Sequence, residues 1–480
     1  MTIGGGTFSA MNKIVPGVYY RIKTNTTMDI NLIERGVVAI PLALSWANQE
    51  IFEIDQDSFK QINAKTVFLT SLDDPELLPI REVLCHARKC FVVATGGTQA
   101  SVDIGGEEDK IKVSARKCGT RGNDLRFEFV KYAPDDDIHF ILTIYDKTKE
   151  TMLYTKDVIL KDETAEDDLF NQSYLSFQSR PAGQTDISAY WSKYADERAS
   201  PVFHTLTNGT TTPLNLESFK VCCQSLKDNE TSYNVLATSY YSTTGATNLA
   251  FYEEFERFVM EERTKYGNLI TGVVYDFNYD NEFMINVNSV NTTSDPNRNI
   301  VYWVAGATAE ATAYNSLTNM VYDGELQTIS YSNNTELVAD GLQKGYFLFY
   351  HQLNQYRVVK DISSLHTIED PLEKSTKMKK NIVIRLIDQI IKEVMLIFSD
   401  SYLGKAINKD VNRIFLKNDI VERLRMLENF GSLYNVTNED VVVSVGNTQE
   451  EVTVSLTIRP LDVMEILYLT VIIDDSGVYT

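Results

Sequence analysis

The sequence predicts an α+β multidomain protein with an extended arm at each end. Three observations predict it. Strand-like runs alternate with helical patterns over residues 22–95 and again over 185–345. Between these stretches, from about 98 to 180, short strands separated by turn clusters form a purely β block, as expected of a domain inserted into another. Beyond residue 346 come two helical stripes, a hairpin and a strand-forming run that reaches the terminus. A chain of 480 residues has room for three or four domains at roughly 100–200 residues each.

The elements follow in order. Residues 1–21 are Gly-rich and then extended, ending in Pro16-Gly-Val-Tyr-Tyr-Arg21, and read as an arm with a strand in it. Gly36-Val-Val-Ala-Ile-Pro41 and Lys65-Thr-Val-Phe-Leu-Thr70 read as short buried strands. Pro79 to Lys89 reads as a helix with Ile80, Val83, Leu84 and Ala87 on one face. Pro79 suits its first turn, where the missing N–H costs nothing. Cys90-Phe-Val-Val-Ala94 is the next strand. In the β block, 110–115, 125–130, 138–144 and 151–154 are strands, and Gly119-Thr-Arg-Gly-Asn-Asp124 and Pro134-Asp-Asp-Asp137 are turns. Their spacing suits a small sandwich or barrel. Next, Phe251 to Tyr266 forms a helix stopped by Gly267. The runs 269–275, 283–287 and 300–304 are strands, and Ala305 to Met320 is a small-residue helix packed closely or gripped at Gly306.

Past 346, Tyr346–Tyr350 and Tyr356–Lys360 are strands. A helix over 376–400 carries Val383, Leu386, Ile387, Ile390, Val394, Ile397 and Phe398 as a core stripe. A second helix over 418–429 turns Val421, Leu424 and Leu427 inward. In the hairpin that follows, Val441, Val443 and Val445 share one face, and Val452, Val454, Leu456 and Ile458 share the face of the returning strand. Pro460 breaks that strand, and a second β-branched and aromatic run continues to Asp474. A strand-forming run at a chain end either pairs with its own sheet or adds to a neighbour's.

Net charge of −21 argues against nucleic-acid binding, which draws on clustered Lys and Arg. Residues 357–430 nevertheless carry 14 Lys or Arg against 11 Asp or Glu. That local basicity reads either as ordinary helix-surface pairing or as a face presented to an acidic partner. The start Met1-Thr-Ile-Gly-Gly-Gly6 lacks a signal-peptide pattern, and no run approaches the ~20 apolar residues of a membrane span. Five scattered cysteines fit reduced thiols better than a disulfide framework.

No catalytic constellation stands above a structural reading. Cys85, His86 and Cys90 lack the second ligand pair that a zinc site needs, and their helical placement fits packing. Cys222 and Cys223 read as small buried residues. Gly96-Gly97 and Gly105-Gly106 belong to no phosphate-loop pattern, and neither a GxGxxG that opens a helix nor a GxSxG elbow occurs. Asp276 and Asp280 read as a solvated loop in an acidic chain. Neither cofactor nor metal is expected.

Several stretches then resemble the tail sheath proteins of contractile bacteriophages, in the subgroup from phages of Gram-positive bacteria. They are Pro16–Arg21; Glu34–Pro41 with Trp46; Gly119–Leu125; Leu206–Thr210; Val304–Ala309 with Asn315–Thr318 and Val321–Glu325; Lys360–Leu365, with Ser363 where Asn is usual; Ile384–Gln389; Tyr402–Lys405; and Leu461–Val471. Their order and spacing carry the resemblance. It implies an inner α/β domain built from both chain ends, an inserted antiparallel β-sandwich, a subtilisin-like but non-catalytic α/β middle domain, and arms at both termini. The implied division is an N-terminal arm over 1–21, the first part of the core over 22–97, and the sandwich over 98–182. The α/β domain then covers 183–345, the C-terminal sheath domain 346–460, and the arm strand 461–480.

By the same resemblance the chain is a structural subunit. It polymerises as stacked hexameric rings around a tail tube and contracts to drive the tube through the host envelope for genome ejection. The implied partners are neighbouring sheath subunits through strand exchange, the tail tube protein, and baseplate and tail terminator proteins. The implied location is the virion tail, assembled in the cytoplasm of the bacterial host, with no direct nucleic acid and no membrane insertion. The expected arm strands are Val18, Tyr19 and Tyr20 at one end and Ile466, Leu467, Tyr468, Leu469, Val471 and Ile472 at the other. The expected acceptor is the hairpin of Val441, Val443, Val445, Val452, Val454 and Leu456, and Lys417, Arg423 and Arg425 are expected to face an acidic tube. A phage-like bacteriocin or another contractile injection system is the alternative. A hydrolase on the subtilisin-like domain is the distant one, and it hangs on His204.

Overall fold

The computed structural model describes residues 4–7, 17–20, 35–106, 109–148, 150–181, 183–288, 297–370 and 374–471. At its centre is a seven-stranded sheet. In spatial order its strands are Tyr346–Phe347, Met284–Val287, Thr271–Tyr275, Val235–Thr238, Val37–Leu42, Lys89–Ala94 and Ile51–Asp55. Neighbours run parallel except the last pair. Val37–Leu42 is buried along its whole length, as a central strand covered on both faces must be. Val38, Ile40 and Leu42 enter one core with the helices Leu78–Leu84 and Ile300–Glu310. Val37 and Ala39 enter another, beneath Leu216–Asp228 and Gly245–Glu261.

This sheet corrects the expectation of an inner domain made from both chain ends. The strands within 37–94 do not join residues 346–460 in a separate unit. They lie in the same sheet as residues 235–287, with Val38 opposite Val235. A strand that is apolar on both faces must sit between covering layers, and here residues 235–287 extend the sheet beside it.

Two local readings also change. Ile300 to Val304 is the start of the helix Ile300–Glu310, and every residue from 300 to 309 is buried. A helix buried all round has no polar face, so its apolar run cannot be told from a strand by periodicity. It ends at Glu310, well short of Met320. Gly306 allows the close approach: a Cβ there would lie 2.3 Å from the Val83 carbonyl oxygen. Lys65 to Thr70, expected as a strand, holds the helical turn Ala64–Val67, with the Asn63 side chain accepting from the Thr66 N–H.

The β insertion consists of two sheets around one core. The larger holds Thr151–Ile159, His139–Asp146 and Leu125–Lys131, with Asp196–Glu197 and His204–Thr205 both pairing with the last of these. The smaller holds Leu175–Phe177, Lys110–Ala115 and Ser101–Gly105. Phe127, Phe129, Phe140 and Trp191 fill the space between. Because Tyr190, Trp191, Tyr194 and Leu206 pack there too, the insertion runs past its expected end at 182. The chain returns where Thr210–Thr211 pairs with Gly97–Thr98.

The C-terminal unit packs the helices Asn381–Ile397 and Asp410–Asn429 against the hairpin Val441–Val445 and Val452–Leu456. Leu386 and Ile390 share a core with Ile420, Val421, Leu424, Leu427 and Val441. Ile382, Val383 and Ile387 form a second small cluster beneath Ile458 and Val463. The second helix starts at Asp410, eight residues before the expected position, and in its first half the exposed Val411, Ile414 and Phe415 blur the inward stripe to which Leu416 belongs. Tyr346 to Tyr350 is divided: Tyr346–Phe347 ends the large sheet, and Phe349–Gln352 pairs with Gln355–Val358.

Candidate assembly surface

The hairpin pairs two strands in register. Val441 stands opposite Leu456, Val443 opposite Val454, and Val445 opposite Val452. The Gly446 N–H bonds to the Glu451 carbonyl and the Thr457 N–H to the Asp440 carbonyl, each at 2.8 Å. Bonded pairs alternate along an antiparallel ladder. The main-chain groups of Val441, Val443 and Val445 therefore point off one edge of this two-stranded sheet, and those of Val452, Val454 and Leu456 off the other. Among the described residues no third strand lies on either edge. The side chains of Val443, Val452, Val454 and Leu456 are half-buried against the helical core, while Val445 is exposed.

A staple holds the hairpin's exit. The Arg459 guanidinium meets both Asp440 oxygens, Nη1 to Oδ2 at 2.9 Å and Nη2 to Oδ1 at 2.8 Å, and donates to the Asn435 carbonyl at 2.8 Å. Arg459, with the Thr437 N–H and hydroxyl, holds the Asp440 carboxyl below the usual carboxylate range against the opposing effect of burial.

The C-terminal run differs from its expected form. Pro460 does not release the chain: it bridges to Leu433, and the Leu461 N–H bonds to the Ser432 carbonyl at 2.9 Å. An ionic clamp follows. Glu465 Oε2 lies 3.1 Å from Lys360 Nζ and 3.0 Å from Lys380 Nζ, and Lys380 also meets Asp462 Oδ2 at 2.5 Å. Val463 packs on the small cluster of Ile382, Val383 and Ile387. Beyond Glu465 this support ends. Ile466, Leu467, Tyr468, Leu469 and Val471 are between 72% and 90% exposed, so neither alternating set is covered. Residues 461–471 form no strand with any of the described residues. Ile472 lies outside the described residues.

At the other end, Gly17–Tyr20 pairs in parallel with Gly4–Thr7 of the same chain. This two-stranded ribbon lies against the π-helical turns Phe398–Tyr402 and Glu262–Tyr266. Val18, Tyr19 and Tyr20 are thus strand residues with one edge already engaged.

The three basic residues of the closing helix do not share a face. At about 100° per residue, Arg423 and Arg425 stand about 200° apart. Arg425 is exposed and donates to Asn438 Oδ1 at 2.9 Å. Arg423 is half-buried beside Met426, and Lys417 is half-buried.

His204 lies in the β insertion, 3.2 Å from Asp196 and packed on Phe127. The histidine on which the hydrolase reading depended is therefore outside the α/β unit. Other motif residues prove to be joints. Glu82, fully buried, accepts from the Tyr322 hydroxyl at 2.9 Å and the Glu325 N–H at 2.7 Å, which docks Val321–Glu325 onto Leu78–Leu84. Burial raises the Glu82 pKa, and these bonds oppose the rise. Asp361 accepts from Arg385 at 2.7 Å and from the Leu317 N–H at 3.1 Å. Among the described residues no group of side chains is arranged to hold a metal ion, and no helix is long and apolar enough to cross a membrane.

Residues 229–364 match the family model of the phage tail sheath protein central domain, and residues 373–474 match that of the phage tail sheath C-terminal domain. Two Bacillus subtilis proteins are each 27% identical to the chain: the uncharacterized protein YqbK, over 98% of this chain and 99% of its own, and the phage-like element PBSX protein XkdK, over the same shares. The crystal structure of a sheath tail protein from Desulfitobacterium hafniense shares the fold, with a TM-score of 0.70 and 23% identity over 92% of this chain and 97% of that one. Both sheath domain models thus match in their expected order, on a chain whose relatives align from end to end, and the chain carries the central and C-terminal domains of a phage tail sheath protein.

Proposed function

We propose that the chain is a sheath subunit that forms stacked six-fold rings around a tail tube and holds them together by exchanging strands. The carrying observation is the pairing of two unmet needs in one chain. The hairpin offers two open edges, at Val441, Val443 and Val445 and at Val452, Val454 and Leu456. The run from Ile466 to Val471 is strand-forming and exposed. An added strand gains main-chain hydrogen bonds, and open heterologous contacts of this kind build helical polymers. Val18, Tyr19 and Tyr20 supply a second donor once Gly17–Tyr20 leaves its own ribbon. The Glu465 clamp fixes the arm's root, so rings can rotate about Ile466 without parting.

Shortening of such an array drives the tube through the host envelope for genome ejection. It draws on free energy stored in the packing at assembly, as in other bistable switches. In this reading the subunit assembles in the bacterial cytoplasm and resides in the virion tail. It contacts the tube, baseplate and tail terminator, and the exposed Arg425 side of the closing helix meets an acidic tube. The similarity to a protein of a phage-like element favours one second reading, the sheath of a phage-like particle or bacteriocin that uses the same exchange.

The test is electron microscopy of the chain lacking residues 461–480. The expected result is a folded subunit that forms no ordered tubes. Normal tubes from the truncated chain overturn the arm-exchange reading.

A further inference from the structure

Four cations and two carboxylates meet where the α/β unit joins the C-terminal unit. Arg385, Asp388 and Lys392 stand at i, i+3 and i+7, so they share one face of the helix Asn381–Ile397. Arg263 engages both Asp388 oxygens, and Arg385 engages Asp361. Arg35 reaches the same place from the entry to the strand Val37–Leu42, where the charges acting on it are those of Arg385 and Asp388. Lys392 has no hydrogen-bonded or ion-paired partner among the described residues. Burial, with the Arg35 and Arg263 charges beside it, pushes the Lys392 pKa down to about 8 against the pull of Asp388. The other acids on these elements are turned elsewhere: Glu393 accepts from Gln389, Glu262 accepts from Asn268, and Glu310 meets His86. Arg35, Arg263, Arg385 and Lys392 against Asp361 and Asp388, four charges against two, leave an excess of two positive charges.

The same junction holds donors that lack acceptors. Arg35 Nη2 donates to the Thr308 carbonyl at 3.4 Å. Arg385 donates from Nε to the Thr312 carbonyl at 3.1 Å and from Nη2 to the Asn315 carbonyl at 2.7 Å. These contacts express the ordinary attraction of cations to the C-terminal end of a helix, here Ile300–Glu310. They leave Arg35 Nε, Arg385 Nη1 and the Thr308 hydroxyl buried with no partner among the described residues. Thr308 is 2% exposed and Arg385 3%. A buried donor without an acceptor is costly, and guanidinium groups match oxyanions in shape and charge.

We infer that this junction binds a small oxyanion, a phosphate dianion, held by Arg35, Arg385, Lys392 and the Thr308 hydroxyl. Two independent observations carry the inference. A dianion cancels the excess of two charges, and its oxygens accept from the three buried donors. A water molecule satisfies donors but leaves the charge in place. The bound anion touches the entry to Val37–Leu42, the end of Ile300–Glu310 and one face of Asn381–Ile397. It therefore fastens the α/β unit to the C-terminal unit, whatever the arms do.

Phosphorus NMR of the unassembled full-length chain, titrated with sodium phosphate near neutral pH in a sodium chloride background, tests this. The expected result is saturable broadening of the phosphate signal, with a rise in the thermal unfolding midpoint over the same concentrations. Two variants locate the site. Lys392→Met removes a cation that has no partner of its own, and Thr308→Val removes the hydroxyl at nearly equal volume. Each is expected to fold and to weaken phosphate binding roughly tenfold or more. No broadening with the unaltered chain means that water alone serves these donors, and overturns the site. Broadening of unchanged affinity in the two variants means that phosphate binds elsewhere, and overturns it as well.

Discussion

The Glu393 carboxyl lies inside the C-terminal unit, one oxygen accepting from Gln389 at 3.0 Å and the other without a hydrogen-bond partner among the described residues. Burial pushes its pKa up to about 7, with partial relief from the Gln389 bond and the Arg423 charge. A folded-state pKa above the unfolded value means that the native state binds more protons between pH 4.5 and 7. Glu393 therefore costs stability as pH rises through that window, and the cost is complete above it. The variant Glu393→Gln keeps the shape and removes the charge. Its expected effect is a gain of about 1–2 kcal/mol at pH 8, discounted for screening, that disappears near pH 4. Urea unfolding at the two pH values checks this, and an equal gain at both contradicts the charge argument. Gly306 makes the opposite case, of space with no charge involved. A methyl group there meets the Val83 carbonyl at 2.3 Å, against backbone that has nowhere to move. Gly306→Ala is expected to cost about 2 kcal/mol in the same measurement.

At the scale of elements, the arm root is the part that can be tested alone. Glu465 is held by Lys360 and Lys380 and touches the Thr318 hydroxyl at 3.4 Å. Charge-assisted contacts of this kind hold a segment that has little apolar anchoring beyond Val463. Glu465→Gln is expected to speed amide exchange over residues 461–465 roughly tenfold, while exchange in the hairpin is unchanged. Equal protection in both chains means that Val463 alone anchors the root. This clamp was not legible in the sequence, because Lys360, Lys380 and Glu465 lie far apart along the chain and only the fold brings them together. The hairpin was legible in its strands and its shared apolar face, because a period of two fixes which side chains point together, but a slip of two residues keeps the same face, so the pairing of Val441 with Leu456 comes from the structure alone. The helix Asp410–Asn429 was legible only in its second half. Leu416 and Ile420 face the core, but Val411, Ile414 and Phe415 blur the stripe by facing out. Ile300–Val304 was misread because full burial erases the polar face that tells a helix from a strand.

At the scale of the whole molecule, the α/β unit and the C-terminal unit meet through charges that water does not reach. Arg263, 1% exposed, closes the helix Gly245–Glu261 and donates to the Ile270 carbonyl at 2.8 Å and Asp388 Oδ2 at 3.1 Å. Its guanidinium lies 3.6 Å from the centre of the Phe283 ring. Three residues back along the same helix as Asp388, Arg385 reaches Asp361 and the carbonyls of Thr312 and Asn315. Neither pair was foreseeable from spacing, since 125 residues separate Arg263 from Asp388. Such pairs contribute little net stability compared with apolar packing, but breaking one leaves a buried charge alone. They also set the angle at which the hairpin, and hence any received arm, is presented to the rest of the subunit. Asp388→Asn is expected to destabilise the chain by about 3–5 kcal/mol, with the C-terminal unit unfolding in a separate, earlier transition. Replacing both partners, Arg263→Met with Asp388→Leu, is expected to restore only part of the loss, because Arg35 and Lys392 are buried beside Asp388 and lose its charge as well. Calorimetry of the three chains decides the matter. If the double replacement is as unstable as Asp388→Asn, the loss lies with Arg35 and Lys392, the buried cations that remain, and not with Arg263. In that case the double variant is also expected to form subunits that fold but assemble poorly, which negative-stain imaging of the same samples reads directly.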